Sequence, residues 1–258
     1  MRLLTLTGCL TALILFTSCT KMLTSIKGTG PVIEKSVSVS SFTGIEVDGA
    51  IDVEVVHGET QAIIAKGHEN IIDRLETNVK DGKWEIKLKK GNYKNLDLTI
   101  YITSPLINEF EIDGSGDIKT EGFTVNDLEI KIDGSGDFTS TDTFFVTNEV
   151  ETDINGSGNI IMTIEANEID TDIDGSGNIT LHGSTNTQSI SVNGSGNYNA
   201  FDLSSNTCGI SINGSGDIEV DVVTKLTVSI NGSGDVYYTG NAAVTTSING
   251  SGNINAFN

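Results

Sequence analysis

The chain has 258 residues and a formal net charge of −20, from 35 Asp+Glu against 15 Lys+Arg. Such a surplus of negative charge repels polyanions and excludes nucleic acid as a partner. Three cysteines and 6% aromatics exclude a multi-disulfide framework and an extended aromatic platform for sugars.

Residues 1–18 carry Arg2, an apolar run through Leu10–Phe16 and small residues before Cys19, the layout of an export signal. Leu15-Phe16-Thr17-Ser18-Cys19 resembles a bacterial lipoprotein box, so Cys19 is the expected lipid attachment site and a bacterial membrane the expected partner. Ordinary secretion with cleavage is the alternative. The apolar run is too short for a spanning helix of about 20 residues. Residues 19–30 read as a lipid-anchored tether.

Residues 31–105 read as an irregular, β-rich N-terminal cap. Strand patterns occur at Ile45-Glu46-Val47, Val53-Glu54-Val55, Ala62–Ala65, Trp84–Leu88 and Leu96–Ile102. Glu69–Glu76 has helical spacing, Asp81-Gly82 is a turn signal, and Asp48-Gly49-Ala50-Ile51-Asp52 is a degenerate copy of the corner phrase that follows. The lysines Lys80, Lys83, Lys87, Lys89, Lys90 and Lys94 read as the solvated side of a strand and its turn; contact with phosphates or acidic glycans is the alternative.

Residues 106–258 repeat the phrase Asp/Asn-Gly-Ser-Gly-Asp/Asn, starting at Asp113, Asp133, Asn155, Asp174, Asn193, Asn213, Asn231 and Asn249, 18 to 22 residues apart. Regular recurrence of a turn phrase marks a solenoid, in which each copy is the same corner of a stacked coil. Positions one, three and five before each corner are mostly apolar, as in Ile132, Ile130 and Leu128; this alternation belongs to a half-buried strand. The expected fold is all-β, a parallel β-helix of about eight 18–22-residue coils, forming a rod roughly 38 Å long at about 4.8 Å per coil. Residues 31–258 form one structural domain in this reading. Cys208 lies in an inward column and reads as a small buried apolar residue.

The residues Phe42-Thr43-Gly44-Ile45-Glu46-Val47, Glu69-Asn70-Ile71-Ile72, Lys80-Asp81-Gly82-Lys83-Trp84, Thr103-Ser104-Pro105 and the Gly-Ser-Gly array together resemble the head GIN domain family, the auto-transporter adhesins of exported bacterial proteins. The resemblance covers roughly residues 40–255. It implies a right-handed parallel β-helix, often on a lipoprotein, with a role at the cell envelope or outer membrane. It carries over no catalytic residue.

Residues 101–258 hold 23 acidic and 3 basic residues, and a solvated acidic rod is the plain reading of that charge. A lyase would need basic groups along the array, whose lysines are only Lys119, Lys131 and Lys225; the three histidines have neither zinc nor triad spacing. A non-catalytic structural or adhesive solenoid follows, with a surface glycan or protein as its ligand. A glycan-binding module is the alternative and a polysaccharide-cleaving enzyme the more distant one. Tyr198, Tyr237 and Tyr238 are the aromatic candidates, with Tyr198 in an inward column. No cofactor is required. Calcium is the one ion considered, at Asp113, Asp117, Asp133 and Asp137, where like charges on adjacent coils repel; the phrase nonetheless differs from the Gly-Gly-x-Gly-x-Asp calcium repeat. The last coil has no polar cap, so Phe257 is placed to plug it, and weak self-association through this coil is expected.

Overall fold

The computed structural model describes residues 25–257. The export signal, Cys9, Cys19 and the first half of the tether lie outside the described residues. The described residues form a nearly all-β parallel solenoid of about seven turns, against the eight coils expected from the repeat. The strands before the corners stack in register: Ile112 lies against Ile132, then Ile154, Ile173, Val192, Ile212 and Ile230. These residues are buried, as are Ile118, Phe138, Ile160, Ile179, Tyr198, Ile218 and Val236 after the corners. Polar members of the inward columns bond one another. Thr152 Oγ1 lies 2.9 Å from Thr171 Oγ1, and the Tyr198 hydroxyl donates to Gln188 Oε1 at 2.7 Å, which removes much of the cost of burying them.

Both glycines of the Gly-Ser-Gly corner lie close to the coil beneath, and the first also needs an unusual backbone conformation. From Gly114 to Gly250 the first glycines have φ between +132° and +149°, a region closed to other residues. The third glycines need close approach: from Gly136 to Gly252, a Cβ would sit 2.0–2.5 Å from the carbonyl oxygen of the equivalent glycine beneath. The serine between them faces solvent, and its N–H donates to the first glycine of the preceding coil at 2.8 Å, as from Ser157 to Gly134.

The cap shows that stacking order differs from chain order. Gly44–Gly49 and Asp52–His57 form a coil directly beneath Glu109–Gly114 and Ile118–Thr120, with Asp48 and Gly49 opposite Asp113 and Gly114. The degenerate phrase is therefore a corner of the stack. On the other side of this coil lies a rung made of Lys83–Ile86 and Leu98–Ser104. Between the two, the chain runs out through Ala62–His68, which pairs antiparallel with Leu98–Ser104 and Val32–Ser36. It then passes through the helical turn Glu69–Ile72 and a hairpin turning at Asp81-Gly82, where φ is +52° and +84°. Trp84 closes this end, fully buried, with its Nε1 donating to the Glu76 carbonyl at 3.1 Å.

At the far end Ile248 is 45% and Phe257 59% exposed. Phe257 does not plug the core. Its N–H stays in the ladder, donating to Tyr238 O at 2.8 Å, and strand alternation then turns its ring outward to stack on Phe201 with centroids 5.4 Å apart.

Candidate functional site

The four aspartates singled out in the sequence occupy two columns rather than one site. Asp117 and Asp137 hold the fifth corner position and serve as coil-to-coil acceptors. Asp117 Oδ1 accepts the Asp137 N–H at 2.9 Å; Asp137 Oδ1 accepts Asn159 N–H at 3.0 Å and Asn159 Nδ2 at 2.7 Å. Asparagines continue the ladder, Asn178 to Asn159 at 2.9 Å and Asn197 to Asn178 at 3.0 Å. Asp113 and Asp133 stack at the first position, where Asp133 is paired with Lys131 Nζ at 2.9 Å. Among the described residues, no group of three or more His, Cys, Asp or Glu is placed to hold a metal ion.

A second polar ladder, not picked out from the sequence, runs along another edge of the coils. Asn148 Nδ2 donates to Asp127 Oδ1 at 2.5 Å, Asn186 to Asn167 at 2.8 Å and Asn206 to Asn186 at 3.0 Å. The hydrogen bonds from Asn148 and Asn126 hold the Asp127 carboxyl below its usual value. Asn126, Asn148, Asn167, Asn186 and Asn206 each stand seven residues before a corner, so the signal that could have found this ladder was a fixed asparagine column in the sequence.

The outward positions before the corners build the acidic face. Glu109, Glu129 and Glu151 stack in register, followed by Asp170, with Asp153 and Asp172 alongside. Two lysines counter it near the cap. Lys83 Nζ reaches Glu109 at 2.5 Å and Glu111 at 2.8 Å; Lys131 bridges Asp133 and, at 3.8 Å, Glu111. Partial burial works against the Lys83 charge, but the hydrogen bonds to Glu109 and Glu111 raise its pKa well above the usual lysine value. Farther along, partial burial raises the Glu151 and Asp153 pKa values, and like charges add to it: Asp153 and Glu129 beside Glu151, Asp172 beside Asp153. Cys208 is buried and its thiol is pushed up to about 12 by that burial, so it is inert at neutral pH.

The register slips in several coils, between Thr139 and Thr143, Thr180 and Gly183, and Ala200 and Ser204. At the first of these the displaced chain forms one wall of an open groove of about 580 Å³. His57 and Pro105 come from the cap, Glu121–Thr124 from the next coil, and Asp142, Thr143 and Phe145 from the coil after it. Gly122 permits the close contact, because a Cβ there would lie 2.1 Å from the Thr143 carbonyl oxygen. Phe145 is 46% exposed over the groove. Glu121 is held in place by the His57 N–H, 2.8 Å from its Oε2. The sequence reading missed this place because its residues come from three separate coils and none belongs to the corner phrase. Tyr198, by contrast, is fully buried, while Tyr237 and Tyr238 are half-exposed.

Three solved bacterial structures share this fold. A "Putative lipid binding protein" of Parabacteroides distasonis is 28% identical with TM-score 0.84, covering 91% of this chain and 100% of its own. A "putative adhesin" of the same species is 25% identical with TM-score 0.85, covering 90% and 100%. A "putative adhesin" of Parabacteroides merdae, 21% identical with TM-score 0.86 over 91% and 99%, shares the fold. No curated protein matches the chain. None of these names denotes a catalytic family. Residues 41–242 match the family model described as "Putative auto-transporter adhesin, head GIN domain", and the chain belongs to that family.

Proposed function

We propose that the protein is a cell-envelope lipoprotein, anchored to the outer membrane through lipidated Cys19, whose solenoid is a non-catalytic adhesive rod. The observation that carries this reading is the use of the repeated corner side chains. Asp117, Asp137, Asn159, Asn178 and Asn197 are engaged in coil-to-coil hydrogen bonds, so these repeated side chains build a scaffold. The acidic face keeps such rods soluble and apart. Immunolabelling of intact and permeabilised cells tests the reading: surface labelling lost on Cys19→Ala is expected, and labelling only after permeabilisation would remove the adhesive role.

The groove favours one variant of this reading, glycan binding. An exposed aromatic ring beside carboxylates suits a sugar, whose C–H face stacks on the ring while its hydroxyls donate to Glu121 and Asp142. On a glycan array, retention of neutral oligosaccharides that disappears with Phe145→Ala is expected. Release of reducing ends from any glycan would instead place the protein among the polysaccharide-cleaving enzymes.

A further inference from the structure

The corner ladder is interrupted at its first member. In every later coil, from Ser115 to Ser251, the N–H of the corner serine donates to a glycine carbonyl of the coil beneath at 2.8 Å. Ala50 holds the serine position of the first corner. The rung beneath it leaves the stack between Ile86 and Leu98 and supplies no corner glycine. Among the described residues, the Ala50 N–H therefore finds no acceptor, and the Ile51 N–H beside it is also free, as it is for most glycines at that third position of later corners. The space under them is a half-open pocket of about 340 Å³, within the range of about 300–1,000 Å³ that small-molecule sites occupy.

Its other walls come from the departing loop. Leu88, Tyr93 and Leu96 form an apolar side, while Lys87 and Lys90 stand at the rim with Asp48. Lys87 is paired with Glu85, which leaves Lys90 exposed. Tyr93 is fixed from behind, since its hydroxyl accepts from Arg74 Nε at 2.9 Å and donates to the Lys89 carbonyl.

We propose that this pocket binds a single-chain carboxylate amphiphile. Consecutive N–H groups at a tight turn form a concavity for an anion, and the Ala50 and Ile51 N–H groups donate to the carboxylate, with the Lys90 ammonium beside it. The alkyl chain lies along Leu88, Tyr93 and Leu96, where covering apolar surface supplies most of the affinity. Asp48 at the mouth disfavours dianionic heads, which separates this ligand from phosphate monoesters and polyacidic glycans. The inference stands apart from the adhesive reading, and failure of one leaves the other intact.

Calorimetric titration of the purified full chain with laurate, below its micelle threshold, tests the site. Dodecyl alcohol and dodecyltrimethylammonium serve as neutral and cationic controls. Laurate is expected to bind at least tenfold more tightly than either, and to give its largest amide shifts in ¹⁵N-resolved NMR at Ala50 and Ile51. Lys90→Glu, an exposed change that spares the fold, should weaken laurate at least fivefold without altering the melting temperature; Leu96→Asp should abolish binding. Equal binding of anionic and cationic amphiphiles, an unchanged affinity in Lys90→Glu, binding only to anionic vesicles, or no binding by the folded chain would each overturn the proposal.

Discussion

Replacing Gly158 by alanine tests the stacking principle at one atom. The added Cβ would lie 2.2 Å from the Gly136 carbonyl oxygen and 2.8 Å from Ile132 Cγ2, against 3.4 Å for the onset of ordinary contact. The two corners must therefore part by about 1 Å or more, since neither contact is with the far end of a flexible side chain. Three bonds span that gap: Ser157 N–H to Gly134 O at 2.8 Å, and Asn159 N and Nδ2 to Asp137 Oδ1 at 3.0 and 2.7 Å. A neutral hydrogen bond contributes about 1 kcal/mol and one to a charged group about 1.5–3, so weakening all three costs about 3–5 kcal/mol. At about 2–4 °C per kcal/mol for a chain of this size, the melting temperature followed by circular dichroism should fall by about 10 °C. Ser157→Ala keeps the N–H and alters only an exposed side chain, so it should stay within about 0.5 kcal/mol of the parent. If Gly158→Ala melts within 2 °C of the parent, close packing is not what keeps glycine at the third position.

Three further outcomes follow from the charge distribution and the stack. Because folding raises the Glu46, Glu151 and Asp153 pKa values, these three groups hold more protons in the folded chain than in the unfolded one above the ordinary carboxylate range of about pH 4, and their contribution to stability falls as pH rises from there. The melting temperature should thus increase on acidification from pH 7 toward 5, and Glu151→Gln should raise it at pH 7 while flattening the profile; a parent that loses stability steadily over that range would contradict this. Millimolar calcium or EDTA should leave melting unchanged, because Asp117 and Asp137 already accept coil amides; a calcium-dependent increase of several degrees would identify a functional ion site. Residues 236–258 carry no charged side chain, and in the last coil Ile248 is exposed, so sedimentation should reveal weak self-association that strengthens with salt. A strict monomer at high protein and salt concentration would refute it.

The solenoid was legible in the sequence because its determinants are local and recur in every coil. One alternating strand beside one glycine corner decides which side chains face inward, so Ile132, Ile154 and Ile173 could be assigned to the core from spacing alone, as could Cys208 and Tyr198. The end of the stack followed different physics: Phe257, read as a plug, obeys the alternation of its own strand and lies on the flank against Phe201. The tertiary structure alone decided what depends on which segments lie side by side. The rung of Lys83–Ile86 and Leu98–Ser104 lies on the far side of Gly44–His57 although it follows it in the chain, and only that placement leaves Ala50 above an open pocket. The groove beneath Phe145 likewise needs three coils and a register slip. Local periodicity specifies a coil, whereas the order in which coils and excursions pack is set by long-range burial, and it is there that the non-repeating surfaces arise.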